Sequence, residues 1–534
     1  MDEMETFDRV CRAMADSAFY PHPVSRLERR DSHISVVFLT GSYVYKLKKP
    51  VDFGFLDYSG LENRKRMCAL EVKLNQRLSR GVYEGVVAIR MDAEGMHFGE
   101  SGRIVEYAVK MKELPDGAAL SNRLAAGKVT PGEMKRLGRM LAAFYAGSER
   151  SSAIDQYGRA DVIGFNTEEN FRQLQPFVGG LVRGSLFEFI KQASRGFFHD
   201  CKRLFDRRIR EGRICDGHGD LRTEHVYFVL DEIEVIDCIE FNERFRYGDA
   251  AVDIAFLHMD MERLGRAELS LAVLSGYIEK SLDYGVYTLL DFYSCYRAIV
   301  KMKVACLTWT ELEEGVRKTE MEIRASQYLE LAFRYAVQFS RPAIWVFCGL
   351  PGTGKSSFAE RLRDILGIAL FQSDEVRKDL PEYSRSGPVP FGTGIYRQDT
   401  RGRVYSRLLA LAQEEIKRGR PVILDATFSL RKWREETMRL AGDLDANILF
   451  FECVCETGTI LQRMGRRRTE DSLSDARAEH LPGLLNEFEE MGELPAEHRT
   501  TIDTEQDLEE NLRKVLAEGY AMKRAQVERA IERL

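Results

Sequence analysis

The feature that most constrains the fold is a glycine-rich run, GLPGTGKSS, at positions 349–357. It follows the spacing G-x-x-x-x-G-K-S, in which glycines let consecutive backbone N–H groups curl around a phosphate. The apolar run AIWVFC precedes it and the amphipathic run SSFAERLRDIL overlaps its end. A strand before the loop and a helix after it place the loop at a helix N-terminus, whose positive end attracts anions. The sequence therefore predicts a phosphate-binding loop in an α/β domain.

The residue types in this loop match the parts of a nucleoside triphosphate. Lys355 is predicted to reach the β- and γ-phosphates, and the Ser356 hydroxyl to bind Mg²⁺. ATP and Mg²⁺ are accordingly the predicted ligands. A glycine-rich turn with an incidental lysine is the alternative, which the correctly placed strand and helix disfavour. The predicted nucleotide-binding residues of the loop are Gly349, Leu350, Pro351, Gly352, Thr353, Gly354, Lys355, Ser356 and Ser357.

Two acidic segments supply further candidates for the same site. Asp425 ends the strand-like run PVILDAT, where a carboxylate associated with Mg²⁺ is expected. Asp374 and Arg377, in FQSDEVRK, are three apart and share one helical face. Asp374 is predicted to accept the proton of an acceptor hydroxyl, and Arg377 to hold a phosphate or the acceptor. An ordinary strand-terminal Asp, or a helix cap beside a surface arginine, remains the simpler interpretation of each.

A basic cluster lies later in the chain, at QRMGRRR (462–468), within a protein of acidic balance. Such a cluster can neutralise charge on a phosphoryl group in transfer. Arg463 and Arg467, four apart, are the predicted contributors. A solvated helix face is the alternative.

The pattern of the chain changes near residue 340. Up to that point it predicts a small sheet, including a hairpin over residues 34–48 with a turn at Thr40-Gly41-Ser42, followed by helices; the last is expected from Thr310 to Phe339. After it, strands and helices alternate, as in an open parallel sheet. We therefore predict one domain over residues 1–340, with a core at about 30–300 and a helical connector at 310–340, and a second over 341–534.

The first domain contains its own candidate site, His218-Gly-Asp220-Leu-Arg-Thr-Glu-His225. An apolar strand and Asp237 follow, which is how kinase-like folds place a base and a metal ligand. Upstream, Lys46 on a strand and Glu71 on the next helix are a pair that can orient ATP phosphates. Taken singly, the lysine is also consistent with a surface Lys, the glutamate with a helix Glu and each aspartate with a loop Asp. Their order along the chain is what favours the site.

Two family resemblances accompany these motifs. GLPGTGKSS, SDEVRK, ILDATF and the arginine cluster make about residues 341–525 similar to small ATP-dependent P-loop kinases, including zeta-toxin-like, gluconate-kinase-like and polynucleotide 5′-kinase-like members. That resemblance implies that Asp374 is the base. HGDL, Asp237 and RYGDAAVDIAFL make about residues 30–300 resemble the aminoglycoside phosphotransferase family, which has a protein-kinase-like fold. It implies Asp220 as the base, Asp237 as a metal ligand and a structural role for Asp253.

The first domain departs from its family at one position. His225 stands where the family usually carries a metal-binding Asn, and imidazole is a poor ligand for Mg²⁺. Either Asp237 and phosphate oxygens suffice, or this domain binds nucleotide or substrate without efficient transfer. The resemblance also covers a bacterial branch in which such a domain is fused to a P-loop kinase.

Composition limits the partners of the chain. Its 534 residues carry 78 Lys+Arg and 84 Asp+Glu, a net charge of −6, so a broad nucleic-acid-binding surface is not favoured. Its longest apolar runs fall far short of a membrane span, and its first residues are acidic, unlike a secretory signal. These features predict a cytoplasmic protein that does not bind membranes. They leave the oligomeric state open.

Together these patterns predict an ATP-dependent phosphotransferase with an α+β kinase-like domain and an α/β P-loop domain. The acceptor is expected to be a hydroxyl of a small or nucleotide-like molecule. Two alternatives remain: an ATP-driven switch with the first domain as ligand sensor, and a nucleic-acid 5′-hydroxyl kinase.

Overall fold

The computed structural model describes residues 3–379, 398–466 and 477–533. The chain forms two compact units, one of Met1–Phe165 and Phe205–Leu282, the other of Asn166–Leu204 and Asp283–Leu534. This division differs from a single boundary at residue 340, because the helices just before that residue pack within the second unit. The boundary at 340 stays a prediction about domain organisation.

A six-stranded antiparallel sheet begins the first unit, in the order β1-β2-β3-β6-β4-β5. Its strands are β1 Glu28–Asp31, β2 Ser35–Leu39, β3 Tyr43–Lys48, β4 Tyr83–Met91, β5 Met96–Phe98 and β6 Arg103–Lys112. The predicted hairpin over residues 34–48 is present as β2 and β3. Gly41 in its turn has a φ of +90°, which glycine adopts without strain.

The two faces of this sheet are covered by different helices, α1 (Glu3–Met14) and α2 (Leu61–Asn75). Phe7 of α1 packs in one apolar cluster with Tyr45 and Leu47 of β3. Cys68 of α2 belongs to a second cluster, with Tyr83 and Val109. Side chains alternate along a strand, so the lysines at positions 46 and 48 of β3 face α2. The fold thus directs two cations of one strand at one helix.

The remaining elements before residue 341 are two short antiparallel strand pairs and a set of helices. The pairs are β7 Ile214–Asp216 with β10 Tyr247–Asp249, and β8 Val226–Val229 with β9 Glu232–Val235. The helices are α3 Leu120–Ala125, α4 Pro131–Gly147, α5 Ser152–Asp155, α6 Ala160–Leu174, α7 Gly184–Asp200, α8 Lys202–Arg210, α9 Glu243–Arg246, α10 Ala250–Arg263, α11 Ala267–Ser281, α12 Val286–Glu311 and α13 Val316–Ser340.

Helices α4 and α11 approach so closely that both contact points require glycine. A Cβ on Gly138 would lie 2.0 Å from the carbonyl oxygen of Val273, and one on Gly276 would lie 2.1 Å from the carbonyl oxygen of Lys135. Any larger residue at either position would force the helices apart.

The helix predicted from Thr310 to Phe339 is present from Val316 onward, but the prediction is wrong over residues 312–315, which are not helical. α12 ends at Glu311 and α13 begins at Val316. Gly315 has a φ of +153°, outside the helical region and rarely adopted by other residues. Apolar periodicity alone could not reveal this break.

The second unit contains a five-stranded parallel sheet in the order β12-β13-β11-β14-β15. Its strands are β11 Ala343–Cys348, β12 Ala369–Gln372, β13 Val422–Asp425, β14 Asn447–Val454 and β15 Arg499–Asp503. Its helices are α14 Lys355–Leu366, α15 Ser373–Lys378, α16 Gln398–Lys417, α17 Arg431–Asp443, α18 Thr457–Arg466, α19 Leu481–Glu487 and α20 Leu508–Ile531. The predicted α+β class of the first unit and the predicted α/β class of the second, with its parallel sheet, are confirmed.

Candidate active sites

The phosphate-binding loop joins β11 to α14 and has the backbone of an anion cradle. Gly349, Gly352 and Gly354 have φ values of +132°, +90° and +90°. A Cβ on Gly349 would lie 2.4 Å from the carbonyl oxygen of Cys453 on the neighbouring strand. These glycines are therefore required by backbone angle and, at Gly349, by space. Lys355 is the first residue of α14, so the loop amides and the helix N-terminus lie together.

Asp425 ends β13, the strand between β11 and β12, and its side chain is buried. Its Oδ2 accepts a hydrogen bond from Gln372 Nε2 at 3.0 Å. Its Oδ1 is buried without a hydrogen-bond partner among the described residues. Burial raises the pKa of Asp425 above its ordinary value, against the opposing effects of Lys355 and the Ser356 hydroxyl. An unsatisfied carboxylate oxygen beside a serine hydroxyl is an oxygen donor set that fits Mg²⁺.

Asp374 and Arg377 lie on α15, directly after β12, and form an ion pair. Arg377 Nη1 donates to Asp374 Oδ1 at 2.7 Å, and the Asp374 side chain is 27% exposed. Asp374 is close enough to raise the pKa of Asp425. The structure thus brings both acids to the carboxyl edge of adjacent strands, beside the phosphate-binding loop. The roles predicted for Asp374 and Arg377 stay predictions.

Arg463 of α18 contacts the phosphate-binding loop itself. Its Nη1 donates to Thr504 Oγ1 at 2.9 Å and to the carbonyl oxygen of Gly352 at 3.4 Å, and its Nη2 donates to the carbonyl oxygen of Thr504 at 2.9 Å. Thr504 follows β15 in a segment without a recognisable motif, so its contact with Arg463 was not predicted from the sequence. Arg467, the other predicted arginine, lies outside the described residues.

In the first unit, Lys46 joins two of the predicted acidic residues. Its Nζ lies 2.9 Å from Glu71 Oε1 and 2.6 Å from Asp237 Oδ1. Burial would lower the pKa of Lys46, but the two carboxylates raise it well above its usual value. Burial likewise opposes ionisation of Asp237, yet Lys46 and His225 hold its pKa far below its usual range. Lys46 is thus a buried cation of the kind that contacts nucleotide phosphates, and Asp237 is a carboxylate of the kind that binds a metal ion.

A second buried lysine, which the sequence analysis missed, extends this network. Lys48 donates to Glu71 Oε2 at 2.7 Å and also pairs with Glu240, which accepts a hydrogen bond from Tyr58. The side chain of Lys48 is 1% exposed. The spacing of Lys46 and Lys48 placed both on one face of β3, but only the fold shows which carboxylates meet them.

The HGD loop is fixed by Asp253 of α10. Asp253 Oδ2 and Oδ1 accept the backbone N–H groups of His218 and Gly219 at 2.7 and 3.0 Å. His218 is buried, its ring contacts the Ile236 carbonyl oxygen at 3.0 Å, and burial lowers its pKa to about 4. Asp253 therefore has a structural contact set, as expected from the resemblance.

Asp220, His225 and Asp237 lie together, with one ligand atom of each within 4.8 Å of the others. Arg222, also missed by the sequence analysis, contacts both oxygens of Asp220 at 3.0–3.1 Å. The group includes an imidazole, so it is not the all-oxygen set that Mg²⁺ prefers. We therefore derive no step through Mg²⁺ at this centre.

Residues 344–491 match a family model described as an AAA domain. The uncharacterized proteins Mb2027c of Mycobacterium bovis and Rv2004c of Mycobacterium tuberculosis are each 32% identical to this chain over 463 residues, which is 86% of this chain and 90% of theirs.

Similar solved structures cover one or other part of the chain. A gluconokinase from Sinorhizobium meliloti is 19% identical and covers 36% of this chain and 97% of its own, with a TM-score of 0.27. A choline kinase from Cryptosporidium parvum is 10% identical and covers 61% of this chain and 94% of its own, with a TM-score of 0.37.

Among the helices of the described residues, none has both the length and the apolar character needed to cross a membrane.

Proposed function

The chain belongs to the family of the uncharacterized mycobacterial proteins Mb2027c and Rv2004c, and on that premise we propose that it is an ATP-dependent phosphotransferase. Its P-loop unit transfers the γ-phosphoryl group of ATP to a hydroxyl of a small molecule. The kinase-like unit is a second nucleotide-binding site.

The observation that carries this proposal is the convergence of three groups at one edge of the parallel sheet. The glycine cradle follows β11, Asp374 follows β12 and Asp425 ends β13. The cradle supplies amides and Lys355 for phosphates, Asp425 supplies a buried anionic oxygen, and Asp374 lies near enough to influence it. The Asp374–Arg377 pair lies at the same sheet edge as the cradle and supports transfer to an acceptor hydroxyl over a switch that only hydrolyses ATP.

In the transfer step, Asp374 accepts the proton of the acceptor hydroxyl. The acceptor oxygen forms a bond to the γ-phosphorus while the bond from that phosphorus to the β,γ-bridging oxygen breaks, leaving ADP. Lys355 stabilises charge on the phosphates, and Arg377 orients Asp374 and the incoming group. Mg²⁺, held by Ser356 and Asp425, supplies charge neutralisation of the triphosphate when bound.

The kinase-like unit differs in its resting contacts. Lys46 pairs directly with Asp237, so the phosphates of a bound nucleotide would compete with Asp237 for Lys46. Glu71 would remain a partner of Lys46. This arrangement supports nucleotide binding, and it leaves the acceptor of this unit unidentified.

The test is a screen of a metabolite extract with γ-labelled ATP and the full chain. We expect label on an organic acceptor, lost in Lys355→Ala and reduced about 100-fold or more in Asp374→Asn, the loss typical of a general base. Asp379→Asn is the matched control, because Asp379 is an exposed acid at the end of the same helix. It should leave transfer unchanged.

A double variant, Lys355→Ala with Asp220→Ala, separates the two units. Transfer that survives Lys355→Ala but disappears in the double variant would assign the reaction to the kinase-like unit and contradict our assignment. Label released only as inorganic phosphate would indicate a switch. Label on the 5′ ends of an added oligonucleotide, but on no small molecule, would indicate a nucleic-acid kinase.

A further inference from the structure

We propose that the His225 centre, formed by Asp220, His225 and Asp237, binds a divalent transition-metal ion of the Mn²⁺ class in preference to Mg²⁺. This inference goes beyond the phosphotransferase reaction of the P-loop unit. It rests on the ligand atoms of the three side chains, on the tautomer of His225 and on the cations that now contact the ligands.

The tautomer of His225 leaves one nitrogen available to a metal. His225 Nδ1 lies 2.8 Å from the backbone carbonyl oxygen of Asp220, and a carbonyl oxygen can only accept, so Nδ1 carries the hydrogen. Arg222 Nη2 can only donate and lies 3.2 Å from Nε2, so the lone pair of the ring is on Nε2, which lies 3.5 Å from Asp237 Oδ2. A backbone contact that fixes the far nitrogen is typical of metal-binding histidines.

Two cationic side chains contact the three candidate ligand residues. Arg222 Nη2 lies 3.0 Å from Asp220 Oδ2 and 3.2 Å from His225 Nε2. Lys46 Nζ lies 2.6 Å from Asp237 Oδ1. Arg222 thus contacts the candidate ligand atoms of Asp220 and His225, and Lys46 contacts the other oxygen of the Asp237 carboxylate, not the Oδ2 that lies near His225 Nε2. Both cations offset the negative charge of the two carboxylates.

Each of these cations has a second carboxylate partner. Arg222 also pairs with Glu224, and Lys46 also pairs with Glu71 at 2.9 Å. Neither cation would be left without a counter-ion when a metal ion replaced it at the centre. The His225 centre is therefore built to exchange a resident positive charge for a metal ion.

The donor set selects the type of ion. Carboxylates suit both Mg²⁺ and Mn²⁺, but Mn²⁺ is a transition-metal ion and is softer than Mg²⁺, so one imidazole in the donor set disfavours Mn²⁺ less. His225 is 8% exposed, so its ring cannot swing out and leave a water in its place without rearrangement of the loop. An asparagine oxygen at this position would restore an oxygen-only set.

The experiment uses the full chain with Lys355→Ala and Asp425→Asn, which silence the P-loop site, and an ATP analogue with a methylene bridge. Electron paramagnetic resonance follows bound Mn²⁺ while Mg²⁺ competes. We expect the excess of Mg²⁺ needed for displacement to fall about 10-fold or more when His225→Asn is added. Electron spin-echo spectra of bound Mn²⁺ should show coupling to an imidazole nitrogen, absent in His225→Asn.

Two further variants keep the test decisive. His97→Asn is the matched control, because His97 pairs with Asp92 far along the sheet. This substitution should change neither the Mg²⁺ excess needed to displace Mn²⁺ nor the nitrogen coupling. Arg222→Gln should bind Mn²⁺ more tightly, since a competing cation is gone. The proposal is overturned if no Mn²⁺ binds, if His225→Asn leaves the required excess unchanged, or if nitrogen coupling is absent. None of these results bears on transfer at the P-loop, which the labelled-ATP screen tests separately.

Discussion

Replacing Lys48 by Met should destabilise the first unit strongly. Lys48 Nζ pairs with Glu71 and Glu240 in the interior, and its side chain is 1% exposed. Burial would lower the pKa of Lys48, but the two carboxylates hold it well above its usual value, so the lysine is charged. Removing one partner of a buried ion pair leaves an uncompensated charge and typically costs about 3–5 kcal/mol.

The size of the effect can be refined by restoring the charge balance. In the wild type, Lys46 and Lys48 face the carboxylates of Glu71, Asp237 and Glu240, which is one net negative charge. Lys48→Met leaves one cation for three anions. Adding Glu240→Gln returns the network to the wild-type net charge, so we expect it to recover at least about half of the lost stability.

The assay must read the first unit alone, since unfolding of two units need not be a single transition. Cys68 of α2 is fully buried in that unit, and Cys348 of β11 is fully buried in the other. Pulse labelling of both thiols in urea, resolved by peptide mass spectrometry, gives a separate midpoint for each. Lys48→Met should lower the Cys68 midpoint by about 1–2 M and leave the Cys348 midpoint unchanged.

Lys49→Met is the matched control. Lys49 is the next residue in the chain, but it lies at the surface with its Nζ near the Ser32 carbonyl oxygen and Asp31. Its loss should cost less than about 1 kcal/mol. The reasoning would be refuted if Lys48→Met moved the Cys68 midpoint no further than Lys49→Met does, or if Glu240→Gln made the Lys48→Met variant less stable still.

Two other predictions concern buried titratable groups. Because burial raises the pKa of Asp425, the negative charge of Asp425 opposes folding at neutral pH. Asp425→Asn should therefore raise the melting temperature of the ligand-free chain and abolish the further rise that Mg²⁺ with ATP produces. A lower melting temperature of the ligand-free variant would contradict this prediction. Burial lowers the pKa of His218 from an ordinary 6.5 to about 4, so the folded state binds a proton at His218 more weakly than the unfolded state does. The free energy of unfolding should therefore fall as the pH decreases from 6.5 to 4, by about 3 kcal/mol in total. Urea unfolding followed by circular dichroism should show a smaller loss over that window in His218→Gln, and equal losses would contradict the assignment.

The sequence alone predicted the parts of this protein that depend on contiguous residues. The phosphate-binding loop could be predicted because the strand, the glycines, the lysine and the helix follow one another within a few residues, and each of them has a local physical reason. The hairpin at Gly41 and the parallel strands of the second unit could be predicted for the same reason. The HGD loop and the Lys46–Glu71 pair were also found, because their order along the chain is informative.

The tertiary structure decided the contacts between residues far apart in the chain. Lys48 and Glu240 are 192 positions apart, and Arg463 and Thr504 are 41 apart, so neither pairing follows from local spacing. Periodicity also failed between Glu311 and Val316, where Leu312 is extended and Gly315 has a positive φ, although the helical pattern of the side chains continues through this break. Local propensity and motif spacing act within a few residues, whereas the partner of a buried charge is set by strand register and helix packing, which bring together whatever the rest of the chain supplies.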